Sequence, residues 1–301
     1  MIDFWISVLE QGLIFSIMVL GVYITYKILD FPDLSVDGSF PLGASVTAAA
    51  LMGGINPYIA CLLSLVAGLA AGTITGLLHV KLKITNLLSG ILVMIGLYSI
   101  NLRVMGKANV PLFNKDNIFI EGVHPLIVIV LFVLLVKLAL DFFLNTKLGF
   151  ILKATGDNPQ LVTSLGMDKG LIKILGLAMS NGLVALSGGM MAQYRRFSDV
   201  GMGTGIIVMG LASIIIGETI FKRISILKAS AIGILGSVLY NACTAFALKL
   251  NFQTTDLKLI TAVIVVIALS MNGKTLSFKP KKLLFRGGNS YVKNRESAQN
   301  I

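Results

Sequence analysis

The sequence predicts an all-α integral membrane protein, a polytopic bundle of about 8–9 transmembrane helices with one broken or re-entrant helix. Three observations predict it. The chain is 55% hydrophobic and only 13% charged, whereas a soluble domain carries roughly 25% charged residues. Its apolar residues form continuous runs rather than an alternating pattern, which points to helices and not to a barrel. Its lysines and arginines collect in short loops between the runs and in the C-terminal tail.

A spanning helix needs about 20 mostly apolar residues. The runs lie at 4–29, 42–52, 58–80, 84–102, 126–144, 171–191, 206–220, 229–248 and 259–271, the second and seventh being short. The first follows acidic Asp3 rather than a basic segment and ends in no small-residue cleavage site, so it reads as a retained helix and not a signal peptide. Residues 1–272 form the transmembrane domain and 273–301 a basic tail.

Charge sets the orientation. The loops at Lys81, Lys153 and Lys222 and the tail together hold sixteen lysines and arginines, and the alternate loops hold seven, Lys115 and Lys249 among them. The richer side is expected to be cytoplasmic. Lys27 and Lys137 fall inside runs near their ends, where they can snorkel. If residues 30–53 cross the bilayer, nine spans place the N-terminus outside; if they are re-entrant, eight spans place it inside. The net charge of +11 is explained by these loops. It forms no basic amphipathic face with interleaved aromatics, so the partner it implies is the lipid bilayer of a bacterial cytoplasmic membrane and no nucleic acid.

Two runs carry small residues at every fourth position: Ser64, Gly68, Gly72 and Gly76 in the third, and Ala229, Gly233 and Ser237, continued by Asn241, in the eighth. Such stripes let helix backbones approach closely in a membrane. Cys61 and Cys243 lie in apolar runs and are expected to be buried packing residues. No phosphate-binding loop, zinc-protease helix, nucleophile elbow or CxxC pair occurs, so no catalytic or metal-binding residue is assigned and no enzyme activity is expected of this chain.

Residues 30–43 are the most unusual stretch, with three acids (Asp30, Asp33, Asp37), two prolines and two glycines between apolar runs. Pro32 and Pro41 oppose a continuous helix, and Pro41 suits the first turn of a new one, capped by Asp37 or Ser39. Broken helices in transporters line cavities with irregular backbone; the alternative is a turn-rich loop at the bilayer surface. Residues 154–167 form the second feature. Asn158 or Asp157 can cap a short helix with Pro159 in its first turn, and Gly166 can end it. About two turns outside the membrane would carry an apolar face of Leu161, Val162 and Leu165. Smaller features read as structural. Lys137 and Asp141 pair one turn apart, Glu218 pairs at a helix end beside Lys222 and Arg223, and Arg195, Arg196 and Asp199 form a polar turn. Neither His79 nor His124 looks like a ligand or a base.

Three segments carry a family resemblance: 29–44 (LDFPDLSVDGSFPLGA), 154–159 with Leu165-Gly166 (ATGDNP…LG), and 180–189 leading to 210–218 (SNGLVALSGG, GLASIIIGE). Over residues 13–271 the chain resembles permease subunits of ATP-binding cassette importers, in the group that takes branched-chain amino acids, ribose and nucleosides. Its nearest form is permeases paired with a lipoprotein-type binding protein for aromatic or other amino acids. The resemblance implies a non-catalytic membrane subunit that binds no cofactor itself. Its partners would be a cytoplasmic subunit that binds and hydrolyses ATP, an extracytoplasmic solute-binding protein and a second permease copy, as a homodimer. It also implies a cytoplasmic coupling helix carrying Gly156, Asp157, Asn158, Pro159, Leu161, Leu165 and Gly166. The second helix would break at the pore, matching Asp33, Asp37, Gly38, Ser39 and Pro41. The competing class, a stand-alone ion-coupled transporter or channel, needs ionisable residues in mid-helix, and these are scarce outside residues 30–37.

Overall fold

The computed structural model describes residues 2–119, 122–221 and 227–249, together with residues 259, 262, 263 and 266, which are helical. The ninth apolar run beyond those four residues, the basic tail, and Lys222 and Arg223 lie outside the described residues.

Ten α-helices account for nearly all the described chain. They are α1 (Ile2–Tyr23), α2 (Val36–Met52), α3 (Pro57–Val80), α4 (Asn86–Met105), α5 (Pro125–Leu144), α6 (Lys147–Asp157), α7 (Pro159–Ser164), α8 (Lys169–Arg195), α9 (Ile206–Phe221) and α10 (Ala229–Lys249). Two short strands, β1 (Asn109–Pro111) and β2 (Phe197–Asp199), pair antiparallel. Seven of the described helical segments are long and apolar enough to cross a membrane. The helix α2, at 17 residues, is shorter than the about 20 a span requires, yet it is almost wholly buried.

At the centre stands α8, flanked by α1, α2 and α3. Its middle is built of small residues, so neighbours approach to backbone distance. The third-run stripe faces it: a Cβ added at Gly68 or Gly72 would overlap the carbonyls of Asn181 or Leu177. Likewise Gly233 and Ser237 of α10 face α1, where the Ser237 hydroxyl donates to the Gly12 carbonyl at 2.8 Å. The outward faces of α4 and α5 expose Leu92, Ile95, Ile127, Leu131 and Leu135, an apolar rim suited to lipid. Cys61 is buried as expected, but Cys243 is exposed on α10, because that helix turns an apolar face outward.

One end of the bundle gathers lysines: Lys27, Lys81, Lys147, Lys169 and Lys228 lie at or beside helix termini there, Lys83 in the α3–α4 loop and Lys153 within α6. Glu218 pairs with Lys27, across from α9 to just past the end of α1, at 2.9 Å. Lys137 and Asp141 pair at 2.8 Å as the i, i+4 spacing predicts, and Asp141 also accepts from the Ser230 hydroxyl. The opposite end carries the β1–β2 ribbon. Here Arg195 donates to Gln11, Arg196 to the Phe113 carbonyl, and Tyr194 to Glu10. The two histidines serve structure: a His79 ring nitrogen lies 2.9 Å from the Ile84 carbonyl, and His124 Nδ1 accepts from the Leu126 N–H to cap α5.

Candidate functional site

Two places stand out, one inside the bundle and one at its lysine-rich end. The interior place begins where α1 loosens. Residues Ile24–Ile28 form a π-helical stretch closed by the Leu29 N–H on the Ile24 carbonyl, a form that occurs as single turns, often at functional sites. Asp30 then takes a left-handed φ of 50°, which aspartate tolerates better than most residues. The chain stays irregular to Ser35, and α2 begins at Val36.

The break therefore lies at 29–35 and not at Pro41, which sits inside α2. Nor do Asp37 or Ser39 cap a new turn there; both side chains are committed across the bundle. Ser39 donates to Asn181 Oδ1 at 2.6 Å. Asp37 accepts from the Gly205 and Ile207 N–H groups at 3.0 and 2.8 Å, so it caps α9 from a neighbouring helix. Pro41 costs the helix one N–H, and the Asp37 carbonyl thereby released faces Gly203, where a side chain would not fit.

Asp33 is buried beneath this turn. Its Oδ1 accepts from the Ser35 N–H at 2.9 Å and the Ser35 hydroxyl at 2.6 Å, and its Oδ2 accepts from Asn181 Nδ2 at 2.8 Å. Three donors converging on two oxygens is what a buried carboxylate requires. Asn181 is the twelfth residue beyond the start of α8, so the cluster lies about 18 Å along that helix, well inside the bundle. The network ties the α1–α2 connection to the central helix. Asn181 was not among the residues singled out from sequence. Its signal was an amide in the middle of a small-residue helix, within a stretch quoted only for resemblance.

A cavity of about 470 Å³ opens beside this segment, between α2, α4 and the turn before α9. Asp37, Gly38 and Pro41 line one wall and Tyr98 and Asn101 another. A Cβ on Gly38 would lie 3.0 Å from Leu97 Cβ and Met94 Cα, so this glycine permits the close α2–α4 approach.

The second place is the α6–α7 pair. Helix α6 was not expected; its amphipathic sequence is interrupted by Gly149 and Gly156, which obscures the pattern. Gly156 and Asp157 close α6 rather than open α7. Gly156 packs against the Ile28 carbonyl, too close to admit a side chain, and Asp157 is exposed. Asn158 caps α7, its Oδ1 accepting from the Gln160 and Leu161 N–H groups, and Pro159 occupies the first turn. Gly166, at φ 73°, ends it. The Met167 N–H reaches the Val162 carbonyl and the Gly166 N–H the Thr163 carbonyl, a Schellman closure. The expected apolar face divides: Val162 is fully buried against the bundle, while Leu161 and Leu165 are 45% and 58% exposed. Leu161 and Leu165, four apart, share one side of the turn, and Val162 lies about 100° round from Leu161, toward the bundle.

Comparison with known proteins shows the family. The family model of the permease component of branched-chain amino acid transport systems matches residues 4–270. The chain is 53% identical over 274 residues to a tyrosine transport system permease protein of Clostridioides difficile, covering 91% of this chain and 93% of that one. It is 26% identical to a probable branched-chain amino acid transport permease protein, LivH, of Methanocaldococcus jannaschii, over 79% of this chain and 82% of the other. In fold it is similar to PsaBC from Streptococcus pneumoniae, at a TM-score of 0.55 and 13% identity, covering 89% of this chain and 95% of that one. The chain belongs to the branched-chain amino acid transport permease family, and is a membrane-embedded permease subunit of an ATP-binding cassette importer of the bacterial plasma membrane.

Proposed function

We propose that this permease carries an amino acid, aromatic by preference, and that α7 is its coupling helix. The tyrosine transport system relative supports the substrate class. The observation that carries the coupling assignment is α7 itself. It is a short helix capped at both ends at the lysine-rich end of the bundle, with Leu161 and Leu165 turned outward. Burying each leucine in a partner's cleft contributes about 1.5–3 kcal/mol. The lysine-rich end faces the cytoplasm on this reading, with the N-terminus outside and α2 counted as a span.

The partner that α7 meets is a cytoplasmic subunit that binds and hydrolyses ATP; this chain binds no cofactor. ATP favours one state of that subunit pair only through contacts that differ between states, and α7 is where such a difference reaches the membrane. Gly156 rests on Ile28, Ile28 ends the π-helical stretch, and residues 29–35 lead to the Asp33–Asn181 network. Movement of α7 thus reaches, through the end of α6, the irregular segment that leads into α2 and the cavity wall. An extracytoplasmic binding protein delivers solute at the β1–β2 end, and the path runs between two permease copies, with Asp33, Asp37, Gly38, Ser39 and Pro41 supporting its wall. A stand-alone ion-coupled transporter is disfavoured by the family, and Asp33 is already satisfied as a structural tie.

Reconstitution tests this. Vesicles containing the permease, its ATPase and its binding protein are expected to take up tyrosine only with ATP inside and binding protein outside. Uptake driven by an ion gradient without ATP would overturn the reading.

A further inference from the structure

We propose that the cavity between α2 and α4 is a stopping place for the solute, and that the Asp37 carboxylate receives its ammonium group. The inference rests on the amino-acid reading above and goes beyond it by assigning a site on the permease itself.

Asp37 is the one ionisable acid or base among the described residues lining this cavity, Tyr98 phenol aside. Its two oxygens accept one backbone N–H each, from Gly205 and Ile207. No lysine or arginine among the described residues comes within ion-pair distance. A carboxylate accepts about four hydrogen bonds, so half its capacity is taken by these two N–H groups and half is open to a further donor. Ionisable groups within membrane helices pair with one another or mark a solute path. Asp33 differs: three donors already enclose it.

A second group points the same way. Asn101, fully buried in the cavity wall, donates from Nδ2 to the Gly38 carbonyl at 3.2 Å. That bond fixes which way the amide faces, because a carbonyl can only accept. Its Oδ1 is left buried without a partner. The acceptor left unmet beneath this wall and the charged one on it both suit a donor cation and not an anion. Met94, Ile95 and Tyr98 supply an apolar wall beside them, and the volume, about 470 Å³, lies within the range of small-molecule pockets. An ammonium group with an aromatic or large apolar side chain matches both features.

The test uses the purified wild-type permease complex in detergent, titrated calorimetrically with three probes: tyrosine, tyramine, which keeps the ammonium and lacks the carboxylate, and 3-(4-hydroxyphenyl)propionate, which lacks the ammonium. Tyrosine and tyramine are expected to bind and the propionate to bind at least tenfold more weakly. Asp37→Asn is expected to abolish the tenfold preference, and Asn101→Leu, which spares the α9 cap, to weaken tyramine binding. Equal binding of tyramine and the propionate, or no binding of any probe at up to roughly 10 mM, would overturn the site. Because the three-probe comparison needs no variant, a poorly folding Asp37→Asn protein leaves it decisive. ATP-driven uptake by the same complex separates the two readings: uptake without ammonium selectivity removes this site and leaves the importer reading standing.

Discussion

Replacing Asn181 by alanine removes the amide that ties the α1–α2 connection to α8. Two bonds matter most: Nδ2 to Asp33 at 2.8 Å and the Ser39 hydroxyl to Oδ1 at 2.6 Å. A hydrogen bond to a buried charge contributes about 1.5–3 kcal/mol, and one between neutral groups about 1 kcal/mol. The loss is thus about 3 kcal/mol, and Asp33 keeps only the Ser35 donors. In a domain of this size each kcal/mol lowers the unfolding midpoint by about 2–4 °C, so Asn181→Ala is expected to unfold about 6–12 °C below wild type. The assay is thermal unfolding of the purified permease in detergent, followed by intrinsic fluorescence and by exposure of the buried Cys61 thiol. Asn181→Asp places a second carboxylate against Asp33 and is expected to be worse than alanine at neutral pH. A midpoint within about 1 °C of wild type for Asn181→Ala would show that the network holds nothing together.

Three further outcomes are expected. Gly38→Leu drives a side chain into Leu97 and Met94 across the α2–α4 contact; the bundle should assemble, with solute uptake impaired, as read by transport in vesicles. Gly72→Leu overlaps the Leu177 carbonyl on the central helix, and because backbone cannot move aside as a side chain can, folded protein should be lost on size-exclusion chromatography. In a background lacking Cys61 and Cys243, Lys115→Cys should react with an impermeant reagent from outside intact cells and Lys153→Cys should not; outside labelling at 153 would invert the orientation.

The helices were legible because lipid solvation demands long apolar runs. Described helices fall within a few residues of eight of the nine runs; the ninth lies outside the described residues but for four helical positions. The Gly68–Gly72 stripe was legible as a packing face, though not its partner, since a stripe names no neighbour. The α7 helix was legible from Asn158, Pro159 and Gly166, each of which acts through local backbone geometry. What failed was tertiary. Pro41 reads as a helix start by local rules, yet α2 passes through it because Asp37 and Ser39 find partners on α9 and α8. Val162 reads as part of an outward face, yet it packs inward. The Asn101–Gly38 contact joins residues 63 positions apart, a separation at which sequence spacing carries no signal.

The central claim is that α7 transmits the ATPase stroke to this permease, and the double substitution Leu161→Asp with Leu165→Asp tests it most directly. Both side chains are exposed in the isolated chain, so the bundle should fold and accumulate normally. Each aspartate would enter an apolar cleft of the partner without a compensating charge. The account predicts normal permease abundance, reduced co-purification of the ATPase and lost ATP-driven uptake. Wild-type co-purification together with wild-type uptake would contradict it, and α7 would then be a connector between α6 and α8.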